Sequence, residues 1–243
     1  MVKINTINSI ELSSHCNGNC QYCPARLQHK HRKTGLMTWE IFEKTVEWIK
    51  VLCEKGTQRE VNLFGIGEST LHPELVAMVK YAREKIPFRI PLHMNTNGIL
   101  MTKELAIGIK EAGINHVDIT GHDHYHTAKT IRIFREVGIV GELTYDFVTR
   151  PHDWAGQIDW FKVDKTFYDP GVCPWLGNGQ VMVMSDGNIT KCCIDAFGQG
   201  IMGTIFDDIT TFEMLPFELC KKCHHTIPGL RLVMPENRIA MVR

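Results

Sequence analysis

From residue 7 to about residue 150 the chain alternates short apolar runs with amphipathic runs, and this alternation limits its fold more than any other feature. Residues 7–13 read as a strand. Residues 38–53 read as a helix, with Thr38 placed to cap it and Ile41, Phe42, Val46, Ile49 and Leu52 recurring at helical spacing. A second strand, 61–64, leads to a second helix, 73–85, whose proline stands at the start, where a missing N–H costs little. Further strands are expected at 89–94, 116–120 and 139–148. Helices at 103–112, closed by Gly113, and 127–137, closed by Gly138, lie between them. Strands separated by single helices indicate parallel βαβ units. A sixth strand at 158–163 gives an α/β fold, a partial (β/α)6 TIM-like barrel too short to close with eight strands.

Beyond Asp164 the pattern changes. Residues 181–184 and 189–192 read as a β-hairpin turning on Ser185-Asp186-Gly187-Asn188. A short helix near 208–215 and then Cys220-Lys221-Lys222-Cys223 follow. The expected division is a barrel over 1–164 and a small second domain over 165–243. Parallel sheets hold ligands beyond the carboxyl ends of their strands, and here those ends run into polar, glycine-rich or histidine-rich sequence.

Lys plus Arg and Asp plus Glu both number 27. General nucleic-acid binding needs a basic excess and is not expected. No run of about eighteen apolar residues is present to span a membrane. Met1-Val2-Lys3-Ile4-Asn5 has no signal-peptide character, so a cytoplasmic protein is expected. Disulfides are disfavoured in that compartment, and grouped cysteines there point to metal or redox chemistry. Of the nine cysteines all but Cys53 and Cys173 fall into tight groups. Cys53 ends an amphipathic helix and reads as a small buried side chain.

Cys16-Asn17-Gly18-Asn19-Cys20-Gln21-Tyr22-Cys23 closely follows the first strand. Three thiolates this close can ligate three irons of a cubane, with Gly18 helping the loop to fold tightly. A zinc site completed by a distant ligand, with His15 and His29 nearby, is the alternative on spacing alone. Cys-x3-Cys-x2-Cys with an aromatic before its last cysteine resembles the signature of the radical S-adenosylmethionine (SAM) superfamily. Later strand ends carry the resemblance further. Gly65-Ile66-Gly67-Glu68 is similar to the family's Gly-Gly-Glu turn, from which it departs by one intervening Ile, and Asn95-Thr96-Asn97-Gly98 is similar to its Thr-Asn-Gly strand end. The resemblance covers roughly the first 150 residues. It implies a 4Fe–4S cluster on Cys16, Cys20 and Cys23 whose open iron binds SAM. It also implies SAM contacts at Gly65, Gly67, Glu68, Asn95, Asn97 and Thr120, with Tyr22 near the adenine. Reductive cleavage of SAM would release a 5′-deoxyadenosyl radical that abstracts hydrogen from the substrate.

Cys173, Gly187, Cys192, Cys220 and Cys223 follow a second pattern, Cys-x13-Gly-x4-Cys and then Cys-x2-Cys. On spacing alone a four-cysteine zinc site competes here. The pattern resembles the twitch form of the superfamily's auxiliary-cluster domains, the shorter relative of SPASM, which implies a second 4Fe–4S cluster on Cys173, Cys192, Cys220 and Cys223. Cys193 is expected to point away from it.

Size, layout and auxiliary pattern are most similar to the superfamily's aminocyclitol-oxidising dehydrogenases. The resemblance implies oxidation of an alcohol to a ketone, with one electron passing to the auxiliary cluster, a polyol or aminocyclitol-like substrate, and a flavodoxin or ferredoxin as electron donor. Arg150 matches an active-site arginine and would stabilise an alkoxide. Gly121-His122-Asp123-His124-Tyr125-His126 offers a base, with His122 nearest the strand end. The aromatic run 154–168 reads as packing between the two parts or as a pocket wall. Three alternatives stay open: a maturase or epimerase acting on a ribosomally made peptide, an activase of a glycyl-radical enzyme, and a binding module stabilised by two zinc sites. For the first, a barrel beginning near residue 7 leaves no room for an N-terminal peptide-recognition domain.

Overall fold

The alternation is built as β1 (Thr6–Ile10), α1 (Trp39–Glu54), β2 (Val61–Asn62), α2 (Leu75–Lys85), β3 (Leu92–Thr96), α3 (Lys103–Glu111), β4 (His116–Thr120), α4 (His124–Val137) and β5 (Leu143–Thr144). The computed structural model describes residues 2–144, 153–159, 162–163, 173–223 and 232–233. β1 to β5 lie side by side in chain order, every pair parallel. Residues 145–148 of the expected fifth strand fall outside the described residues.

Side-chain caps set where the helices begin. Thr38 Oγ1 accepts from Ile41 N–H at 3.4 Å, Thr102 Oγ1 from Leu105 N–H at 3.1 Å, and Asp123 Oδ1 from His126 N–H at 2.8 Å. Such a cap is worth about 1 kcal/mol. The Asp123 cap starts α4 at His124, three residues ahead of the expected Thr127, so His124 and His126 belong to a helix and not to a loop. Gly138, at φ +73°, closes that helix in the left-handed region.

The helices bury Phe42, Val46, Ile49, Met78, Val79, Ala106 and Ile109 against Ile7, Ile10, Val61, Leu92, Met94, Val117 and Ile119 of the sheet. Each large side chain so buried stabilises the fold by about 1.5–3 kcal/mol. Strand alternation sends the intervening residues to the opposite face. His93 and Asn95 of β3 and His116, Asp118 and Thr120 of β4 are half-buried there, with His93 paired to His116 and Asn95 to Asp118. The inner side of this barrel is therefore polar.

The later part of the chain forms α5 (Pro174–Asn178), β7 (Gln180–Val183), β8 (Asn188–Thr190) and β9 (Ile201–Thr204). β7 pairs in parallel with β1 on the edge that β2 leaves open, and β8 and β9 continue antiparallel. One eight-stranded sheet results, in the order β5-β4-β3-β2-β1-β7-β8-β9. The β7–β8 turn runs through Asp186-Gly187, with Gly187 at φ +86° donating its N–H to Met184 O at 2.9 Å.

Two expected elements differ. Of the expected sixth strand, Lys162–Val163 form β6, which pairs antiparallel with β10 (Leu232–Val233) and does not extend β5. Ahead of the expected strand a 3-10 turn, Trp154–Gly156, places Trp154 and Ala155 at φ +53° and +58°, and Ile158, where the strand was expected to begin, lies in a bend and packs into a small apolar cluster. The helix expected at 208–215 is a single 3-10 turn, Ile209–Thr211. Among the described residues no helix is long and apolar enough to cross a membrane.

Candidate active site

A cavity of about 270 Å³ opens at the carboxyl ends of β1 to β4. Its wall brings together Cys16, Cys20, Cys23, Gly65, Gly67, Glu68, Asn95, Asn97, Thr120 and His122, and adds Arg26, Phe64, Trp154 and Cys193. Cys16 and His122, 106 positions apart in sequence, meet there because the residues between β1 and α4 each follow, or end, one of the neighbouring parallel strands.

The three thiols share one loop and none is in a disulfide. Gly18 sits between two of them: a Cβ on it would lie 3.5 Å from Cys16 Sγ and 3.6 Å from Cys20 Sγ. Donors are aimed at the sulfurs. Gly18 N–H reaches Cys16 Sγ at 3.4 Å and Asn97 Nδ2 reaches it at 3.8 Å, while the Tyr22 side chain is hydrogen-bonded to Cys20 and the Ala25 backbone to Cys23. Burial raises all three thiols, that of Cys23 to about 12. Deprotonating them therefore calls for a cation, and soft thiolates with N–H and O–H donors behind them suit an iron–sulfur cluster. Among the described residues no three His, Cys, Asp or Glu side chains are grouped to hold a single metal ion.

The turn from Gly65 to Glu68 is pressed against the segment 11–15 that follows β1. A Cβ on Gly67 would lie 2.1 Å from Ser13 O and 2.6 Å from His15 O, and one on Gly65 would lie 2.6 Å from Glu11 Cβ. Only glycine fits either place. Glu68, 4% exposed, ties this turn to the end of β3: its carboxylate accepts from Asn97 N–H and Thr96 Oγ1, both at 2.8 Å, and from Thr70 Oγ1 at 2.7 Å. Asn97 Nδ2 donates to Asn17 Oδ1 at 2.8 Å, so the end of β3 also steadies the cysteine loop.

His122 follows β4 directly, and its Nδ1 lies 2.7 Å from the Tyr22 hydroxyl. Burial lowers the imidazole below its usual range, only partly opposed by Asp123. Burial, with Cys20 beside it, raises the Tyr22 phenol far above its own range. Trp154 Nε1 donates to the Tyr22 carbonyl at 2.9 Å. Of the two other histidines after β4, His126 is engaged by Asp123 through Nδ1 at 2.8 Å, and neither lines the cavity. Arg150 lies outside the described residues.

Toward the C-terminus, burial raises the Cys220 thiol, and the neighbouring Cys192 and Cys173 raise it further. Cys223 is buried with Cys192 and Cys193 in the small apolar cluster that also holds Trp154. Cys192 is raised by a hydrogen bond with Cys193 and by burial. Cys193 itself lines the main cavity and is the hydrogen-bond partner of Cys192.

Four participants carry weaker signals in the sequence. Trp154 was one aromatic in a run of them, and Cys193 was the second of a doublet. Glu11 and Arg32 form a buried ion pair at 2.7 Å behind the Gly65 turn. A charge inside the apolar run Ile10-Glu11-Leu12 was the clue to that pair, but its partner is 21 residues away in sequence.

A profile of the radical SAM superfamily matches residues 10–133. The SAM-dependent 2-deoxy-scyllo-inosamine dehydrogenase of Niallia circulans is 29% identical over 122 residues, 50% of this chain and 47% of that protein. A tungsten-containing aldehyde ferredoxin oxidoreductase cofactor-modifying protein of Pyrococcus furiosus is 31% identical over 109 residues, 44% of this chain and 28% of that one. The match thus spans less than half the length of either curated relative. Among solved structures, BtrN in complex with AdoMet and 2-DOIA aligns at a TM-score of 0.69 and 21% identity, covering 88% of this chain and 84% of that one. That likeness establishes a shared fold. The family match over residues 10–133 carries the cysteine loop, the glycine turn and β2 to β4. The chain belongs to the radical SAM superfamily, whose members use SAM and a 4Fe–4S cluster.

Proposed function

We propose that the protein is a radical SAM dehydrogenase that oxidises an alcohol carbon of a small polyol or aminocyclitol-like substrate to a ketone. It uses two 4Fe–4S clusters. Cys16, Cys20 and Cys23 hold the first, leaving one iron for SAM, and Cys173, Cys192, Cys220 and Cys223 hold the second. When bound, the first cluster with SAM would supply a 5′-deoxyadenosyl radical for removal of the carbon-bound hydrogen, and the second would supply an acceptor for the electron left as the ketone forms. The balance is one hydrogen atom, one proton and one electron removed from the alcohol.

The chain's own residues supply the rest. Gly65 and Gly67 keep the turn flush with the segment after β1, so the backbone can approach SAM. Glu68, Asn95, Asn97 and Thr120 face the same cavity and provide polar contacts for it. His122, kept neutral by burial, accepts the hydroxyl proton. Trp154 and Ile194 add apolar surface to the cavity wall. Arg150 is proposed as the partner of the developing alkoxide. Residues 1–164 then form the SAM-binding part and 165–243 the auxiliary-cluster part. The protein works in the cytoplasm with a flavodoxin or ferredoxin as donor.

The observation that carries this function is the neighbourhood of Cys220, Cys192 and Cys173, joined through the Cys192–Cys193 pair to the wall of the main cavity. An electron acceptor held there stands beside the radical chemistry. The curated relative named for 2-deoxy-scyllo-inosamine supports the substrate class.

The test is to reconstitute the protein anaerobically and count iron and sulfide in the wild type and in a Cys16→Ala/Cys20→Ala/Cys23→Ala variant. About eight irons should fall to about four, with 5′-deoxyadenosine formation lost in the variant. A panel of polyols and aminocyclitols should yield ketone in step with 5′-deoxyadenosine. A variant without iron, or a product at the oxidation level of the substrate, would defeat the dehydrogenase and favour an epimerase or a peptide-modifying enzyme.

A further inference from the structure

Tyr22 is held at three points. Its hydroxyl is hydrogen-bonded to Cys20 and lies 2.7 Å from His122 Nδ1, and its carbonyl accepts from Trp154 Nε1 at 2.9 Å. Its ring is stacked with that of His122 at 5.9 Å between centroids and an interplanar angle of 29°. It does not line the cavity wall. Its hydroxyl is thus shared between a cysteine and a histidine, and this specifies a direction of hydrogen bonding.

A ligating thiolate has no proton and can only accept. Once Cys20 is a ligand, the Tyr22 O–H must donate to sulfur if the two are to stay bonded. The phenol oxygen is then left as acceptor, and the group facing it is His122 Nδ1. His122 therefore carries its proton on Nδ1, and Nε2 takes the acceptor role a proton-accepting base needs. The donated hydrogen bond also draws electron density from the Cys20 sulfur. Reduction adds negative charge to a cluster, so a donor at a ligand sulfur favours the reduced state.

Resting on the assignment of Cys16, Cys20 and Cys23 as cluster ligands, we propose that Tyr22 is a positioning residue that links the first cluster to His122. Its hydroxyl raises the cluster's reduction potential through Cys20, and its oxygen fixes the imidazole as the Nδ1–H tautomer.

Tyr22→Phe removes the hydroxyl and keeps the ring. The experiment is a redox titration of the reconstituted protein followed by electron paramagnetic resonance, reading only the signal that added SAM perturbs, with iron counted on the same samples. Tyr22→Phe should retain its iron while the reduction equilibrium shifts tenfold toward the oxidised cluster, 59 mV to the negative for a one-electron couple. Site-specific 3-fluorotyrosine at position 22, a stronger donor of the same shape, should move the midpoint the opposite way. Full iron content with both midpoints at the wild-type value would overturn the proposal and return Tyr22 to a packing role. Should Tyr22→Phe lose iron, the fluorotyrosine protein decides alone: a positive shift upholds the link and no shift refutes it. A wild type with no SAM-perturbed signal would instead remove the ligand assignment on which the link rests.

Discussion

Replacing Arg32 by Met should destabilise this protein as much as a large truncation in its apolar core. Arg32 and Glu11 have side chains 3% and 0% exposed and meet at 2.7 Å. At that distance and an effective dielectric of about 20, the attraction is about 6 kcal/mol, against a desolvation cost of several kcal/mol for each ion. The pair as a whole is therefore nearly neutral for stability. Its halves are not. Without Arg32 the Glu11 carboxylate keeps, among the described residues, only the N–H groups of Ile66 and Ser185, both at 3.2 Å. Without the Glu11 charge, Arg32 keeps Ala196 O at 2.8 Å and the Gln28 side chain, with Nη1 buried and unbonded. Removing one partner of such a pair costs about 3–5 kcal/mol. Urea unfolding of the wild type, Arg32→Met, Glu11→Gln and the double variant measures this directly. Each single variant should lose about 3–5 kcal/mol, and the double variant should lose no more than the worse single. Additive losses, or singles within about 1 kcal/mol of wild type, would show that the two charges are not coupled.

Gly67→Ala should keep its iron and lose at least about tenfold in SAM affinity by equilibrium dialysis, because its Cβ would meet Ser13 O at 2.1 Å and backbone cannot yield cheaply; unchanged affinity would refute the tight-turn account. Burial lowers the pKa of His122 from its ordinary 6.5, so the folded state resists a proton that the unfolded chain accepts. Stability linked to this group is fully present above 6.5 and is lost as pH falls through the lowered value. His122→Gln should flatten that part of a urea-midpoint profile, and an unaltered profile would remove His122 as its source. Cys220→Ser should lose about four irons and still cleave SAM, with ketone formation abolished; full iron content would exclude Cys220 as a ligand.

Local signals made much of the fold legible. The stripe from Phe42 to Leu52 and the Thr38 cap are contained within one helix, and α1 formed where they indicate. The α4 boundary was missed because three histidines drew attention to a loop, whereas Asp123 followed by His126 N–H is a capping signal in its own right. The pairing of β7 with β1 left no trace in either segment, since a parallel strand chooses its neighbour through contacts distant in sequence. Around the cavity, the cysteine loop and the glycine turn could be read because their spacing is their chemistry. Glu11, Arg32 and Trp154 could not, because their importance lies in partners 21 to 132 residues away.

That same pairing of β7 with β1 bears on the birth of the protein. β1 is made first, and one of its two neighbours is some 170 residues further along the chain, so the centre of the sheet is among the last things a ribosome lets close. Until then β1 presents a row of unpaired amides between apolar side chains, an edge on which other chains can nucleate. Fragments ending before β7 should therefore be poor stand-ins for the SAM-binding half. Full-length synthesis at low temperature or with chaperones is the sounder route to soluble material.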